Sequence, residues 1–295
     1  MTPLTLRQRL DAYEKLLRLD KPIGILLLLW PALWGLLFAS PHYQSLEVVL
    51  IFVIGTILMR SAGCAINDYA DRDFDPHVKR TARRPLAARL ISPHEALLLA
   101  GVLALLAFAL VLLLNGLTIM LSFAALFLAA SYPFTKRFFP LPQAYLGIAF
   151  GFSIPMAFAA YQNAVPPLAW ALLAGNIFWA VAYDTEYAMV DRDDDIKLNL
   201  KSSALLFGTF DVAAVMLCHG LFLAIMAGAG VWLKLGLMYF LGLAAALALI
   251  AWQFCMIKTR ERDLCFKAFL NNNWVGAAVY AGLVLDYQLL IPVIM

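Results

Sequence analysis

The stretch GCAINDYADRDFDPHVKRTARRP, residues 63–85, places a dense group of charges directly after a membrane-length apolar run. Asn67 and five bases accompany the acids in this stretch. Its four acids are Asp68, Asp71, Asp73 and Asp75. Hydrocarbon solvates carboxylates poorly, so ionisable side chains at the edge of a membrane span indicate a functional site. The ligand of these acids is therefore central to the activity of the protein.

The composition is typical of a membrane protein. Of the 295 residues, 63% are hydrophobic and 14% are charged, and the mean hydropathy is +0.82. Soluble domains carry roughly 25% charged residues. Apolar runs recur from Ile23 to Ile294, many of them near the ~20 residues that cross ~30 Å of hydrocarbon. We therefore predict an all-α polytopic membrane protein, since the alternating polarity of membrane β-strands is missing from the sequence.

The apolar runs predict nine spans within one domain that covers residues 1–295. Residues 1–22 are charged and are predicted to form a cytoplasmic amphipathic segment ahead of the first span. No small-residue cleavage site is found, so we interpret the first span as a retained helix rather than a signal peptide. Asn271–Asn273 are predicted to cap the last span. The spans are 23–39, 46–65, 95–114, 117–132, 143–161, 166–187, 211–229, 235–257 and 274–294.

The distribution of lysine and arginine predicts the orientation of the chain. Twenty of the 22 basic residues lie in the N-terminal segment or in loops on one side of the predicted spans. Arg60 lies inside the second span, and Lys234 lies in an opposite loop. The positive-inside rule then places the N-terminus in the cytoplasm and the C-terminus outside. The net charge of +3 is spread over several loops, which disfavours nucleic-acid binding.

A second acidic stretch, VAYDTEYAMVDRDDDIKLNLKSS at residues 181–203, follows the sixth predicted span. At about 100° per residue, Asp184, Asp191 and Asp195 fall on one line along a helix. In the first stretch, Asn67, Asp71 and Asp75 follow one another at four-residue intervals, with Asp68 beside them. Each stretch therefore presents several oxygen atoms on one face. Asp73 and Asp193 are predicted to face elsewhere.

Clustered carboxylates repel one another unless a cation lies among them. Oxygen ligands without a Cys or His pattern favour Mg²⁺ over zinc, and protein-bound Mg²⁺ keeps ligand positions for water and phosphate oxygens. We therefore predict two acidic helix ends that face each other and hold Mg²⁺ around a diphosphate. Bases nearby would neutralise the remaining charge. These bases are Arg72, Lys79, Arg84, Lys136, Arg137 and Lys197.

The sequence resembles the intramembrane (UbiA-type) prenyltransferase family from about residue 20 to residue 276. NDYADRDFD, beginning at Asn67, fits the family motif NDxxDxxxD, DRDDD from Asp191 supplies DxxxD, and YPFTK from Tyr132 fits YxxxK. Longer strings resemble the bacterial branch that prenylates 4-hydroxybenzoate. They are DKPIGILLLLWPALWG, KRTARRPL, GFSIPMAFAA, VAYDTEYAMVDRDDDIK and CFKAFLNNNWVG.

The resemblance implies a nine-helix bundle similar to soluble isoprenyl synthases, located in the bacterial inner membrane with its active site open to the cytoplasm. It implies the attachment of a polyprenyl chain from polyprenyl diphosphate to 4-hydroxybenzoate, ortho to the phenol, in ubiquinone biosynthesis. The implied ligands of the Mg²⁺-diphosphate are Asn67, Asp68, Asp71, Asp75, Asp191 and Asp195. The implied diphosphate contacts are Arg18, Arg72, Lys79, Arg84, Tyr132, Lys136, Arg137 and Lys197. Asp71, Asp75, Asp191, Asp195 and Arg137 are the implied catalytic residues.

Other roles stay open at this point. Asp184 or Asp71 is a candidate base for the ring proton, and Arg137 and Lys197 are competing candidates for binding the benzoate carboxylate. Four aromatic side chains are candidates for shielding an allylic cation, and core packing or the aromatic belt at the membrane interface is the favoured alternative for each of them. These are Tyr69, Tyr183, Tyr187 and Trp179. The alternatives are another aromatic acceptor, such as homogentisate or a naphthoate, and a cation transporter that uses the same acids. Apart from the substrates and membrane lipid, no nucleic acid or obligatory protein partner is expected.

Overall fold

The regular structure of the described residues is entirely helical, as the apolar runs predict. The computed structural model describes residues 5–41, 44–77, 81–135, 137–198 and 200–290. The helices in chain order are α1 Leu6–Leu16, α2 Ile23–Ala39, α3 Leu46–Asp71, α4 Pro93–Val111, α5 Gly116–Thr135, α6 Pro142–Gly151, α7 Ser153–Gln162, α8 Pro167–Leu198, α9 Ser203–Phe207, α10 Asp211–Trp232, α11 Leu237–Ile257 and α12 Arg262–Leu290. Short 3₁₀ turns cover Asp75–His77 and Gly208–Phe210.

Six helical segments in the described part of the chain are long and apolar enough to cross a membrane, by length and composition. They are Leu46–Asp71, Pro93–Val111, Gly116–Thr135, Pro142–Gln162, Ser203–Trp232 and Leu237–Ile257. Ile23–Ala39 is a shorter apolar helix. Each of the nine predicted spans overlaps a helix or, for 143–161, the consecutive helices α6 and α7. The chain is therefore a multi-pass helical membrane protein.

Two local predictions are wrong. Asp75 does not continue the α-helix, because α3 ends at Asp71 and Asp75 opens a 3₁₀ turn. Asn271–Asn273 do not cap the last helix, since α12 begins at Arg262 and the three asparagines lie in its interior. Their side chains instead make contacts to neighbouring helices, as when Trp30 Nε1 donates to Asn273 Oδ1 at 3.0 Å.

The largest apolar core lies between α2, α7, α8, α10, α11 and α12. At its centre the ring of Trp179 in α8 lies 5.1 Å from that of Trp34 in α2 and 5.7 Å from that of Phe222 in α10. Glycines allow α11 and α12 to approach closely, because a Cβ on Gly242 would lie 2.8 Å from the Cα of Gly282. Small residues at such crossings are a common device for packing helices in lipid.

Helices α4 and α5 expose large apolar side chains on the outside of the bundle, which is the expected face toward lipid. Examples are Leu98, Leu105, Met120 and Phe127. The short helix α1 instead packs its buried residues Ala12 and Leu16 near the polar ends of α3 and α4. Arg18 follows α1 with a positive φ of 57°, and this turn directs its side chain toward α3.

Asp286 of α12 caps the start of α11 inside the bundle. Its buried carboxylate accepts hydrogen bonds from the backbone N–H groups of Gly236 at 2.8 Å and Tyr239 at 3.4 Å. The first N–H groups of a helix have no partner within the helix, and a carboxylate also interacts favourably with the helix dipole there. Asp286 therefore ties the last two long helices together.

We expect Asp286→Ala to lower the free energy of unfolding by about 1–2 kcal/mol, because it removes this cap. Denaturation of the purified protein in detergent measures the loss. Asp11→Asn is the control, since Asp11 and its partner Lys15 are both exposed on the surface of α1. Its loss should stay within about 0.5 kcal/mol. Equal losses in the two variants would contradict the capping role.

Candidate active site

A small cavity of about 180 Å³ lies between the acidic ends of α3 and α8. Both acidic stretches contribute to its walls, as the sequence predicts. The contributing residues are Asn67, Asp71 and Asp75 from the first stretch and Asp184, Asp191 and Asp195 from the second. The two stretches are far apart in sequence, so the fold alone brings them to one place.

The helical spacing correctly distinguishes inward-facing from outward-facing acids. The side chain of Asp73 is 75% exposed and that of Asp193 is 67% exposed, where it accepts from Arg262 at 2.7 Å. Asp71 is buried at the end of α3, and its carboxylate accepts a hydrogen bond from Asn67 Nδ2 at 3.3 Å. The face that Asp184, Asp191 and Asp195 share on α8 is thus the face toward the small cavity.

Asp68 has a different environment from the other predicted metal ligands. It is buried and accepts two hydrogen bonds from Arg18 Nη2, at 2.8 and 3.0 Å. Arg84 Nη1 lies 3.1 Å from the same carboxylate and 2.9 Å from that of Asp75. Asp68 therefore positions two guanidinium groups at the border of the site, and it lines the larger cavity described below rather than the small one.

Burial raises the pKa of Asp75 above its usual value. Arg84 opposes this effect, whereas the negative charges of Asp71 and Asp68 raise the pKa further. A carboxyl group in this position is ionised more readily when additional positive charge is nearby. The electrostatics of the small cavity thus favour a bound cation.

The other predicted diphosphate contacts are distributed unevenly. Tyr132 lines the small cavity, whereas Arg137 is exposed and donates to the backbone oxygen of Ala70 at 2.6 Å. Arg72 lies over the ring of Tyr69, 4.5 Å from its centroid. Lys197 is 76% exposed beside Asp194. Arg72, Arg137 and Lys197 line neither the small cavity nor the larger one. Lys79 and Lys136 lie outside the described residues.

Lys201 also lines the small cavity and is not among the bases predicted from the sequence to contact diphosphate. It lies six residues after Asp195 within the second acidic stretch, so its place beside the acids could have been inferred from that proximity. Its ammonium group donates to the backbone oxygen of Phe138 at 3.1 Å. Among the described residues, Lys201 is the one lysine in the wall of the small cavity. It supplies positive charge near the acids.

A second cavity of about 930 Å³ adjoins the small one and is lined by residues of α1 to α8 and of α12. The two cavities share five wall residues, which are Asn67, Arg84, Tyr132, Asp184 and Tyr187. Most of the remaining wall is apolar, with Tyr183 beside Asp184. Among the aromatic side chains predicted to shield a cation, Tyr183 and Tyr187 line this cavity, whereas Trp179 is fully buried in the core and Tyr69 is outside the wall.

Arg60 is a further functional candidate, a cation inside the second predicted span to which the sequence pattern assigned no role. Its guanidinium carbon lies 5.7 Å from the centroid of the Phe150 ring, and the side chain lines the large cavity. Its buried Nε has no hydrogen-bond partner among the described residues. A Cβ on Gly24 would lie 2.4 Å from Arg60 Nη2, so glycine leaves space for the guanidinium group. Its position inside a predicted span could have identified Arg60 as functional from the sequence, because charged residues within membrane spans usually serve a function.

The donor atoms of the small cavity agree in kind with a Mg²⁺ site. Carboxylate and amide oxygens are the ligands that hard cations prefer. Within the described residues, no three Asp, Glu, His or Cys side chains converge closely enough to hold a metal ion. The residues therefore fit a Mg²⁺ site in the chemistry of their donor atoms and in lining one cavity.

The acidic end of α8 is held by a buried ion-pair group. Asp211, at the start of α10, has no exposed surface and pairs with Arg192 of α8 at 2.5 Å and with Arg260 at 2.8 Å. Arg192 directly follows Asp191 in sequence. This pairing therefore fixes α8 next to one of the site carboxylates.

These features define a multi-pass helical membrane protein with an acidic site beside a large apolar cavity. Residues 28–275 match the sequence model of the UbiA prenyltransferase family, and the chain belongs to this family. A 4-hydroxybenzoate octaprenyltransferase of Nitrosospira multiformis is 63% identical over 284 residues, which cover 96% of this chain and 98% of the relative. The family resemblance found in the sequence is thereby confirmed.

Solved structures share the fold. The apo structure of a UbiA homolog from Aeropyrum pernix K1 has a TM-score of 0.79 at 27% identity and covers 89% of this chain and 97% of that chain. A UbiA homolog from Archaeoglobus fulgidus bound to GPP and Mg²⁺ has a TM-score of 0.66 at 19% identity, with coverage of 92% and 99%. The second likeness shows the fold alone.

We expect Asp211→Ala to destabilise the protein by about 3 kcal/mol, the low end for a broken buried pair, because Arg192 and Arg260 lose their partner but still reach water. Chemical denaturation in detergent measures this loss. Asp193→Asn provides the control, since Asp193 and its partner Arg262 are both exposed, and it should change stability by less than about 1 kcal/mol. A loss no larger for Asp211→Ala than for the control would refute the anchoring role.

Proposed function

We propose that this protein transfers a polyprenyl group from polyprenyl diphosphate to the ring carbon of 4-hydroxybenzoate ortho to the phenol, releasing diphosphate, as a step of ubiquinone biosynthesis. The observation that carries the proposal is the junction of the two cavities, where acids from α3 and α8 adjoin a large apolar space. A polyprenyl diphosphate has a charged diphosphate joined to an apolar chain, which matches the acidic small cavity and the apolar large cavity. The name of the Nitrosospira multiformis relative supports this choice of substrates.

The small cavity takes the diphosphate. Asn67, Asp71, Asp75, Asp191 and Asp195 would hold Mg²⁺, which supplies positive charge to the departing phosphate oxygens when bound. The Archaeoglobus fulgidus homolog bound to GPP and Mg²⁺ supports the use of this metal. Arg18 and Arg84 lie at the border of the site and offer planar guanidinium donors that suit phosphate oxygens.

The large cavity takes the polyprenyl chain. Its apolar walls exclude water, which would otherwise capture the allylic cation. Tyr183 and Tyr187 lie at the end near the acids and present aromatic rings to that cation, each worth roughly 0.5–2 kcal/mol. The C–O bond to diphosphate breaks with its electron pair leaving on the diphosphate, and the acceptor ring then forms the new C–C bond with the allylic cation. Asp184, in the wall of both cavities, accepts the proton that leaves the ring carbon.

Arg60 binds the carboxylate of the acceptor. Arg60 and Asn67 are seven residues apart on α3 and therefore share a face, with Arg60 about 10 Å deeper along the helix axis. Both line the large cavity. In 4-hydroxybenzoate the carboxylate and the phenol lie at opposite ends of the ring, so a carboxylate held at Arg60 directs the phenol end toward the diphosphate. Arg60 replaces Arg137 and Lys197 as the candidate, because those two side chains are outside the cavity walls.

The chain crosses the bacterial inner membrane nine times as a single domain over residues 1–295, with its N-terminus and the acidic helix ends at the cytoplasmic side. The bias of basic residues to one set of loops supports this orientation. The amphipathic helix α1 and the acidic ends of α3 and α8 then lie on the same side. This arrangement admits the aromatic acid from the cytosol while the prenyl chain stays in the bilayer.

We expect Asp71→Ala and Asp191→Ala each to lower product formation at least about 100-fold, because each removes a ligand from the diphosphate site. The assay supplies Mg²⁺, 4-hydroxybenzoate and a polyprenyl diphosphate to the purified protein and detects the product by mass spectrometry. EDTA should stop the wild-type reaction, and added Mg²⁺ should restore it. Asp193→Asn, with its exposed side chain, should keep most of the activity.

Normal turnover by Asp71→Ala would refute the metal assignment. If the protein formed product from homogentisate or a naphthoate but none from 4-hydroxybenzoate, the proposed acceptor would be wrong and the proposed reaction class would stand. Cation flux into proteoliposomes without prenyl transfer would favour the transporter alternative.

We expect Arg60→Met to raise the KM for 4-hydroxybenzoate roughly 10- to 100-fold, since a charge-assisted hydrogen bond is lost. The KM for the prenyl diphosphate should change little. The wild-type protein should prefer 4-hydroxybenzoate to the uncharged 4-hydroxybenzamide, and this preference should disappear in Arg60→Met. Kinetics with both acceptors measure the two effects.

Arg137→Met is the matched control, because Arg137 lies outside the cavity walls. It should retain the preference for the carboxylate over the amide. If Arg60→Met kept the preference and Arg137→Met lost it, the carboxylate assignment would move to Arg137.

A further inference from the structure

A buried polar cluster lies on the side of α8 that faces away from the cavities. It consists of Glu186 on α8, His219 on α10 and Asn272 on α12, and all three residues have 0% exposure. None of them lines either cavity. Polar side chains inside a membrane-protein bundle are costly and usually serve a function. The mechanism above uses none of the three.

Asn272 is the centre of the cluster. Its Nδ2 donates to Glu186 Oε2 at 2.8 Å and to the backbone oxygen of Ala268 at 3.1 Å. Its Oδ1 accepts from Trp179 Nε1 at 3.0 Å. One asparagine of α12 thus holds two side chains of α8 that are seven residues apart. His219 Nε2 lies 3.8 Å from Glu186 Oε1 on the other side.

The cluster is not fully satisfied. Among the described residues, Glu186 Oε1 and both ring nitrogens of His219 have no hydrogen-bond partner. Apolar side chains of similar size would fill this space without leaving buried polar atoms unpaired, and such replacements are often neutral or stabilising. The polar residues therefore contribute something other than stability, and a fixed geometry of the helices is the best-supported role for such groups.

The geometry of α8 shows what would be fixed. Trp179 and Glu186 are seven residues apart and share one face of the helix, whereas Asp184 and Asp191 share another. Glu186 is two residues from Asp184, which places the two faces about 200° apart. The hydrogen bond from Asn272 to Glu186 therefore sets the rotation of α8 about its axis. This rotation decides whether the aspartate side chains of α8 point into the small cavity.

Two anchors on α8 enclose Asp191. Arg192 pairs with Asp211 on one side, and Glu186 lies about 7 Å before Asp191 along the axis. Trp179 also meets Tyr183 edge-on, with ring centroids 5.2 Å apart. The same cluster therefore supports an aromatic ring in the wall of the large cavity.

We infer that Glu186 is a positioning residue for prenyl transfer, which Asn272 holds through a hydrogen bond so that Asp184, Asp191 and Asp195 face the small cavity. This inference rests on the proposed function. Glu186 touches neither substrate. It acts through the rotation of the helix that carries the carboxylates.

The test compares Glu186→Leu, Glu186→Gln and Asn272→Ala with the wild-type protein in detergent. Glu186→Leu removes the acceptor for Asn272, so kcat of the folded fraction should fall about 10- to 100-fold, as expected for misplaced catalytic groups. The KM for 4-hydroxybenzoate should stay within about twofold, because Arg60 is on α3. Glu186→Gln keeps an oxygen acceptor for Asn272 and should restore kcat to within about threefold of wild type.

A second readout does not depend on turnover. Ligands that bind only the folded state raise its melting temperature. Farnesyl diphosphate with Mg²⁺ is the probe, and it should raise the melting temperature of the wild-type protein and of Glu186→Gln. The rise should be at most half as large in Glu186→Leu and Asn272→Ala, because the α8 carboxylates no longer point at the ligand.

Asp286→Ala is the matched control, since it removes another buried carboxylate that contacts α11 rather than α8. It should lower the melting temperature without changing kcat or the ligand-induced rise. If folded Glu186→Leu had the kcat of the wild-type protein and the same ligand-induced rise in melting temperature, the inference would be overturned. Glu186 would then have a packing role. If Glu186→Leu does not fold, the same result in Asn272→Ala overturns the inference.

The test also separates this inference from the proposed function. A wild-type protein that makes no product from 4-hydroxybenzoate would refute the proposed acceptor. The rise in melting temperature with farnesyl diphosphate and Mg²⁺ would still measure how α8 is positioned. A wild-type protein with neither turnover nor a rise would refute both.

Discussion

The repulsion between carboxylates at the ends of two apolar helices is the constraint on which this structure depends. Acids from α3 and α8 line one cavity of about 180 Å³, and so many negative charges are costly at the edge of hydrocarbon. The protein offsets part of this cost with arginines, since Arg18 and Arg84 neutralise Asp68, and Arg84 also pairs with Asp75. Asp71, Asp191 and Asp195 also line the cavity, where a bound cation would offset negative charge.

The surroundings of each acid determine its role. Asp68 is enclosed by guanidinium groups, and Asp211 is enclosed by two further arginines away from the cavities. Such acids hold helices and bases in place. Asp191 and Asp195 instead form part of a cavity wall. Sequence similarity between acidic runs does not separate these roles, because it is the neighbours in space that differ.

Helical periodicity predicted much of the site from the sequence. It identified Asp73 and Asp193 as outward-facing, and it placed Asp184 on the same face as Asp191. These properties depend on the rotation of a single helix, which the residue spacing records. Hydropathy likewise predicted helices at each of the nine spans, since the need for about 20 apolar residues is local to each segment.

Features that depend on contacts between distant segments were not predictable in this way. The 3₁₀ turn at Asp75 and the interior position of Asn271–Asn273 arise from how the chain meets other elements. The exposure of Lys197 and Arg72 has the same origin, because a base near an acidic run in sequence need not face the same cavity. Arg60 was visible as a charge in a span, but its place beside Phe150 in the cavity wall required the fold.

Helix α8 has features of both kinds, those that residue spacing predicts and those that depend on contacts with distant segments. One of its faces carries the acids that periodicity revealed, and the opposite face carries Trp179 and Glu186, whose partner Asn272 comes from a helix more than eighty residues later. A helix in lipid has no hydrophobic force that fixes its rotation, because every apolar face is equally compatible with lipid tails. Directional hydrogen bonds on the buried face must then supply the orientation that the acidic face requires. The chemistry of the cavity therefore depends on a polar cluster that lies outside it.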